Sequence, residues 1–480
     1  MAKRNFIVSA YLLMAISIVA QNAVIPKQGL EKITEAQLFN VMSVLASDSL
    51  GGRAPGELGG EKAAAYIEQK FQEVGLKPYF EGDYRQEFML YVKSWDAVSL
   101  SMNTHTINGN DAIYYLGNVP VYNPEQKEFI YIGDGRDSII ENLDLTDKLV
   151  LVNLNPLTRS YSVLNKLEAK GVWGVVAFSS DDSTQFNRTV KFNTRMRQMV
   201  GLGKQKPSEV VKGLRSYIIN NNQLPAITGF TASELAHSNF NADSLIVKNI
   251  SIQSPIIFNE VATWNIVGVL KGTDLTAKPV VVSAHYDHVG QQPGGVCLGA
   301  DDNASGVSAI IQVAGAYSGL KKKPVRDIIF VAFGAEELGL IGSEYFMTNF
   351  NKEDIFANIN VDMIGRRDTL SKDNYVYILG TSNNPITHNL HQQANRQTVN
   401  LQLDYAYGNE VGSSSMMNRS DHYPFYKKGI PVIAFFSGLH GDYHTPRDTI
   451  EKIDFPLMTK RVQLIFATLY LVVNSDSLDN

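Results

Sequence analysis

The sequence has a single cysteine, Cys297, among 480 residues. No intrachain disulfide can form, so stability has to come from packing or from bound metal, whatever the redox state of the compartment. An excess of positive charge is also missing. There are 43 Lys and Arg against 48 Asp and Glu, a net charge of −5, which leaves no basic face for nucleic acid or another polyanion. Charged residues make up only 19% and hydrophobic residues 44%, a composition that excludes a disordered or fibrous chain. The length allows two or three domains.

Near the start, "MAKRNFIVSAYLLMAISIVAQNA" sets Lys3 and Arg4 before an apolar run from Phe6 to Ala20. The run is short for a bilayer span and ends in small and polar residues, the layout of a cleaved secretory signal over residues 1–20. No cysteine stands at its end for acylation. The expected location is therefore periplasmic or secreted, with no stable membrane insertion after cleavage. An uncleaved anchor is the other outcome the same residues allow.

Thr34 and Gln37 stand at capping-box spacing ahead of Leu38, Val41, Met42 and Leu45, the apolar face of a first helix. A second helix places Ala64, Ile67, Phe71 and Val74 on one side, with Gly75 as its stop and Pro78 beyond it. Short alternating runs fill about 85–112. From 115 to 255 another unit follows, with strands in "EFIYIG", "KLVLVNL" and "GVVAFS" and a helix in "YSVLNKLEAKG". Its acids are scattered and His237 is its only histidine, so it is expected to be an inserted, noncatalytic module. From about 256 strands alternate with helices: "PVVVSAH", a helix at 303–318, "DIIFVAF", a helix at 339–349, "IFANINVD", "NYVYIL", a helix at 385–396, "IPVIAFF" and a last helix at 455–473. That order predicts an α/β sheet covered on both faces.

Ligands of such sheets bind beyond the carboxyl ends of the strands. His285 and Asp287 follow "VVVSA", Asp302 opens the next helix in "GADDNASG", Glu336 and Glu337 follow "IIFVAFGA", Asp362 ends "ANINVD", and His444 follows "IPVIAFF". Taken singly, Asp302 would be a helix cap and each histidine a structural residue. Taken together, carboxylates gathered on one sheet edge repel one another unless a cation is present. Imidazoles and carboxylates without thiolate suit zinc, with cobalt or manganese as substitutes, and the set is large enough for two metals sharing a carboxylate.

The motifs "AHYDH", "GADDNASG", "GAEELGLIGS", "NVDMIG", "SDHYPF" and "YHTPRDT" resemble, in order, those of the M28 family of dizinc peptidases, which includes secreted bacterial aminopeptidases. The resemblance covers residues 30–112 and 256–480. The 115–255 insert resembles a protease-associated (PA) domain through "FIYIGDG", "DLTDKLVLVNLN" and "LEAKGVWGVVAF". The implied fold is a mixed, mostly parallel sheet with helices on both faces, plus a β-rich insert. The resemblance implies two zinc ions per chain, with Asp302 as the bridge, His285 and Asp362 completing one site, and Glu337 and His444 the other. Asp287 would orient His285, Glu336 would be the general base, and Tyr443 would donate to the oxyanion. His288, where many relatives carry serine, is expected either to support a metal ligand from behind or to be structural, with the structural reading preferred, and Cys297 is expected to be a packed small residue. Arg419 is expected to meet either substrate or Asp421.

The activity this implies is removal of N-terminal residues from peptide substrates. Two other outcomes stay open: a glutaminyl cyclase with a single zinc, and a binding module that kept the fold without catalysis. Dipeptidase and carboxypeptidase action on peptides are further outcomes the same motifs allow.

Overall fold

A computed structural model describes residues 23–480 apart from 95–97, 103, 118, 155–159, 181–183, 201, 204–212, 238–245, 256, 293, 371–372, 383, 409–414 and 479–480. The secretory signal expected over residues 1–20 lies outside the described residues. The chain divides into two compact units, one of Met1–Met89 with Ala262–Asn480 and one of Leu90–Val261.

In the first unit, Glu35–Leu45 (α1) buries Leu38, Val41, Met42 and Leu45, as the 3.6-residue spacing predicts. The capping box is half made. The Thr34 hydroxyl accepts the Gln37 N–H at 3.4 Å, but it donates to Gln37 Oε1, so that side chain does not reach back to the Thr34 main chain. Leu58–Glu73 (α2) buries Ala63, Ala64, Ile67 and Phe71.

After the second unit the chain enters the sheet through Ile257–Leu270 (β1) and continues with Val280–His285 (β2), Gly306–Ser318 (α3), Ile328–Phe333 (β3), Ala357–Val361 (β4), Tyr375–Leu379 (β5), Pro385–Gln397 (α4), Gln402–Asp404 (β6), Val432–Phe436 (β7) and Phe455–Val473 (α5). Seven of the ten strands of this sheet stand in the order β6-β5-β7-β4-β2-β3-β1. The central strands β7, β4, β2 and β3 are mutually parallel, while β5 meets β7 and β1 meets β3 antiparallel. The sheet is thus mixed, with a parallel centre. Because β2, β3, β4 and β7 point the same way, their carboxyl ends share one edge.

Strand alternation sends successive side chains to opposite faces. Val280, Val282 and Ala284 join Ile359, Phe435 and the long helices α1, α2, α3 and α5 in one core. Val281, Ile329, Val331 and Phe333 join Phe346 and Phe425 in another. The helices on this second face, Ile341–Met347 and Tyr423–Lys427, are short. Among the described residues, only α5 is long and apolar enough to cross a membrane, and 72% of its apolar window is buried against the core.

The second unit is built on an eight-stranded sheet. Val121–Tyr131, Leu149–Asn153, Gly174–Phe178 and Arg215–Ile219 run parallel in its centre, with antiparallel strands on both sides. The unit begins well before residue 115. Ser99–Met102, one of the short alternating runs, pairs with Ile246–Ser254 and so belongs to this sheet.

Candidate metal centre

The edge formed by the carboxyl ends of β2, β3, β4 and β7 gathers the polar residues that follow those strands. His285 closes β2, and its Nδ1 lies 3.1 Å from the main-chain oxygen of Asp287. That carbonyl, and not the Asp287 carboxylate at 3.9 Å, is the ring's neighbour. The Asp287 carboxylate has another role: its two oxygens accept the main-chain N–H groups of Glu336 (3.0 Å) and Glu337 (3.2 Å), holding the glutamate pair in place beyond β3.

Asp302 is not a helix cap. Helix α3 starts at Gly306, and residues 300–305 form an irregular turn in which Asp302 and Asn303 leave helical geometry. Side chains of the turn fasten it to the end of β4. Asn303 Nδ2 donates to Val361 O, and Asn303 Oδ1 accepts from Met363 N–H and Gly306 N–H. Gly306 sits so close that a Cβ there would stand 2.3 Å from Asn303 Oδ1 and 2.4 Å from Val361 O, which excludes any larger residue. Behind the turn, Asp448 Oδ2 accepts the N–H groups of both Asp301 (3.0 Å) and Asp302 (3.1 Å).

This scaffold turns the two oxygens of Asp302 in different directions. Oδ1 lies 3.4 Å from His285 Nε2, which is itself 3.3 Å from Asp362 Oδ1. Oδ2 lies 3.0 Å from His444 Nε2, which is 3.0 Å from Glu337 Oε2. Two donor groups result: His285, Asp302 and Asp362, and then His288, Asp302, Glu337 and His444. Donors about 2.0–2.1 Å from a tetrahedral zinc stand about 3.3 Å apart, close to these separations. Asp302 Oδ2 and His444 Nε2 are buried, and although they stand 3.0 Å apart neither is aligned for a hydrogen bond. Buried orphans are rare in native proteins, and a cation between them would satisfy both. The residues present therefore fit two divalent ions of the zinc type.

The field around the site is uneven. Burial opposes charge on His285, but Glu336, Asp362 and Asp302 outweigh it and hold its pKa well above the usual histidine value. His444 behaves alike, with Asp302 and Glu337 raising it to about 10 against burial. The adjacent glutamates are driven apart. Burial pushes Glu336 well above the carboxylate range, whereas contacts with His288 and His444 override burial and hold Glu337 well below it. Burial, reinforced by Asp302 and the neighbouring acids, pushes the Tyr443 hydroxyl up, and its ring stacks on His444 with centroids 3.7 Å apart.

The structure thus brings together His285, Asp302, Glu336, Glu337, Asp362, His444 and Tyr443, with Asp287 behind the glutamates. His288, for which the sequence allows a supporting or a structural part, is buried within the second group. Cys297 is buried, its sulfur 3.7 Å from the His444 carbonyl. Arg419 is exposed and makes no ion pair with Asp421, which is buried; its guanidinium lies beside the Met416 sulfur. Sequence reasoning passed over two supports: Asp448, four residues after His444 in a quoted motif, and Arg53, in "GGRAPG". Arg53 is fully buried and donates to the carbonyls of Leu45, Tyr286, Leu298 and Gly299, beneath both ligand loops.

Residues 265–469 match the family model described as peptidase family M28. Aminopeptidase YwaD of Bacillus subtilis is 30% identical over 230 residues, 46% of this chain and 47% of its own length. Leupeptin-inactivating enzyme 1 of Streptomyces exfoliatus is 35% identical over 144 residues, 29% of each. The chain thus spans about half the length, or less, of these curated relatives. Among solved structures, an aminopeptidase from Aneurinibacillus sp. strain AM-1 superposes with a TM-score of 0.55 at 19% identity, over 94% of this chain and 97% of that one, which establishes a shared fold. The stretch from the end of β1 to the last turns of α5, with the edge that carries these donors, is therefore a peptidase family M28 domain.

Proposed function

We propose that this chain is an exported metallo-aminopeptidase that holds two zinc ions and hydrolyses N-terminal residues from peptides. The observation that carries the proposal is the divided Asp302 carboxylate, whose oxygens face two separate sets of histidine and acid donors. The names of the relatives, aminopeptidases among them, support the activity. The leader over residues 1–20 supports export, with a mature chain beginning near Gln21. Both donor groups lie within the first unit, which supports a noncatalytic, PA-like part for 115–255.

Two divalent cations, when bound, supply Lewis acidity toward a water molecule and a substrate carbonyl. Glu336, the glutamate not committed to the donor groups, takes the proton from the attacking water and delivers it to the leaving amine nitrogen. Burial raises its pKa above the usual carboxylate value, which favours holding that proton until the amine receives it. Tyr443 keeps its hydrogen and donates it toward the oxyanion that develops on the scissile carbonyl. Asp287, through two main-chain N–H groups, fixes Glu336 and Glu337 relative to each other.

The test is cleavage of a peptide library with free N-termini against an acetylated copy, with and without chelator, alongside a count of bound zinc. Cleavage of the free library alone, abolished by chelator, with two zinc ions per chain, is expected. Equal cleavage of both copies overturns aminopeptidase action, and a single zinc overturns the two-cation assignment in favour of the cyclase alternative.

A further inference from the structure

We infer that His288 is a positioning residue for Glu337: its Nδ1–H holds Glu337 Oε1, leaving Oε2 to face the cation. The inference rests on the two-cation proposal and assigns a part to a histidine outside the expected donor set. His288 Nδ1 lies 2.8 Å from Glu337 Oε1, the length of a hydrogen bond, and 3.6 Å from Asp302 Oδ2. The other Glu337 oxygen, Oε2, lies 3.0 Å from His444 Nε2. The carboxylate is thus split between two imidazoles, one per oxygen. Carboxylates that ligate metals are commonly held by an outer hydrogen bond of this kind.

The His288 ring is fully buried and packs against the main chain of Gly299, where a Cβ would stand 2.6 Å from its Cγ and Cδ2. The His444 ring meets it edge-on at 5.4 Å. Its far nitrogen, Nε2, is buried with no hydrogen-bond partner. That orphan selects the tautomer. With hydrogen on Nδ1 the ring donates to Glu337, and only a lone pair goes unmatched at Nε2. If Nδ1 bound the cation directly, the hydrogen would move to Nε2 and become a buried N–H with no acceptor, which is rare in native proteins.

Asparagine places an N–H close to the position of histidine Nδ1 but is a poor zinc ligand, so it separates the two roles. Cation-free protein and its His288→Asn and His288→Ala variants are titrated with zinc by calorimetry. The visible spectra of the Co(II)-loaded forms are recorded, and the cation-free melting temperatures monitor folding. The expected result is two ions bound by wild type, affinity at one site about 10- to 100-fold weaker in His288→Ala, and recovery in His288→Asn with the wild-type Co(II) spectrum. If His288→Ala does not fold, the His288→Asn affinity and spectrum decide alone. A His288→Asn protein as weak as His288→Ala, or with an altered spectrum, makes His288 a direct ligand and overturns the inference, as does unchanged affinity in a folded His288→Ala. Wild type that binds fewer than two ions overturns the two-cation proposal itself, a failure recognisable without any variant.

Discussion

Glu336 and Glu337 are adjacent and chemically identical, yet their surroundings assign them opposite work, so the same Glu→Gln change at each should have opposite consequences. Glu337 has a lowered pKa in the folded chain. Its ionised form therefore adds stability above the ordinary glutamate pKa of about 4.3, and that stability is lost as pH falls through the lower folded value. At neutral pH Glu337→Gln removes it. Losing the charge-assisted contact with His288 costs about 1.5–3 kcal/mol, so the cation-free melting temperature should fall by several degrees and one ion should bind more weakly. Glu336 has the reverse sign. Its folded pKa is raised, so its stabilising contribution is complete below the ordinary value of about 4.3 and is lost as pH rises through the higher folded value, and at neutral pH burying the group costs stability. Glu336→Gln, isosteric and uncharged, should raise the cation-free melting temperature and keep both ions. It should lower kcat by about 10² to 10⁴, or roughly 2.7–5.5 kcal/mol in the barrier. Calorimetric melting of cation-free protein, zinc stoichiometry and kcat on an aminoacyl amide measure the three effects. Near-normal kcat in Glu336→Gln with two zinc ions bound would refute the assignment of the base.

Asp448 predicts a purely structural loss. Asp448→Ala strands two buried N–H groups at Asp301 and Asp302 and should cost about 2–6 kcal/mol in urea unfolding, with Asp448→Asn milder because it keeps an acceptor; an unchanged midpoint for alanine would sink this account. His391 predicts a pH dependence. Burial lowers its pKa to about 4, with Nδ1 donating to Thr387 O and Nε2 accepting from the Tyr405 hydroxyl. The stability it contributes is complete above about 6.5 and is lost as pH falls toward 4, at about 1.4 kcal/mol per pH unit; His391→Gln should flatten that part of the unfolding profile.

The sequence was most legible where one period governs a whole element. Phe455–Val473 and the faces of α1 and α2 follow from spacing alone, and the strand ends that carry His285, Asp362 and His444 follow from where apolar runs stop. It was less legible where side chains outside those periods decide. The helix expected at 303–318 starts at Gly306 because Asn303 bonds to Val361 and Met363, some 60 residues away, instead of joining a helical turn. The helix expected at 339–349 shortens to Ile341–Met347, since the Glu336 carbonyl is engaged by Gly339 and Leu340 in the preceding turn. Asp287 was expected against the His285 ring, yet one residue of strand geometry decides which group faces it, and the carbonyl does. For His288 the sequence left a supporting and a structural part both open, because its direction depends on how the chain leaves β2.

Arg53 bears on the order in which the chain can fold. Its guanidinium, taken from the segment before the second unit, is satisfied by Tyr286 O, 233 residues later, and by Gly299 O, 246 residues later. At about 5–20 residues per second of synthesis, it waits on the order of 10–50 s for those carbonyls to exist. A guanidinium is costly to bury unpaired, so the N-terminal helices cannot close over Arg53 until the first ligand loop has been made. The eight strands of the sheet within Leu90–Val261 pair among themselves and are free to fold in the interval. The first unit is therefore completed last, by a latch set at its beginning.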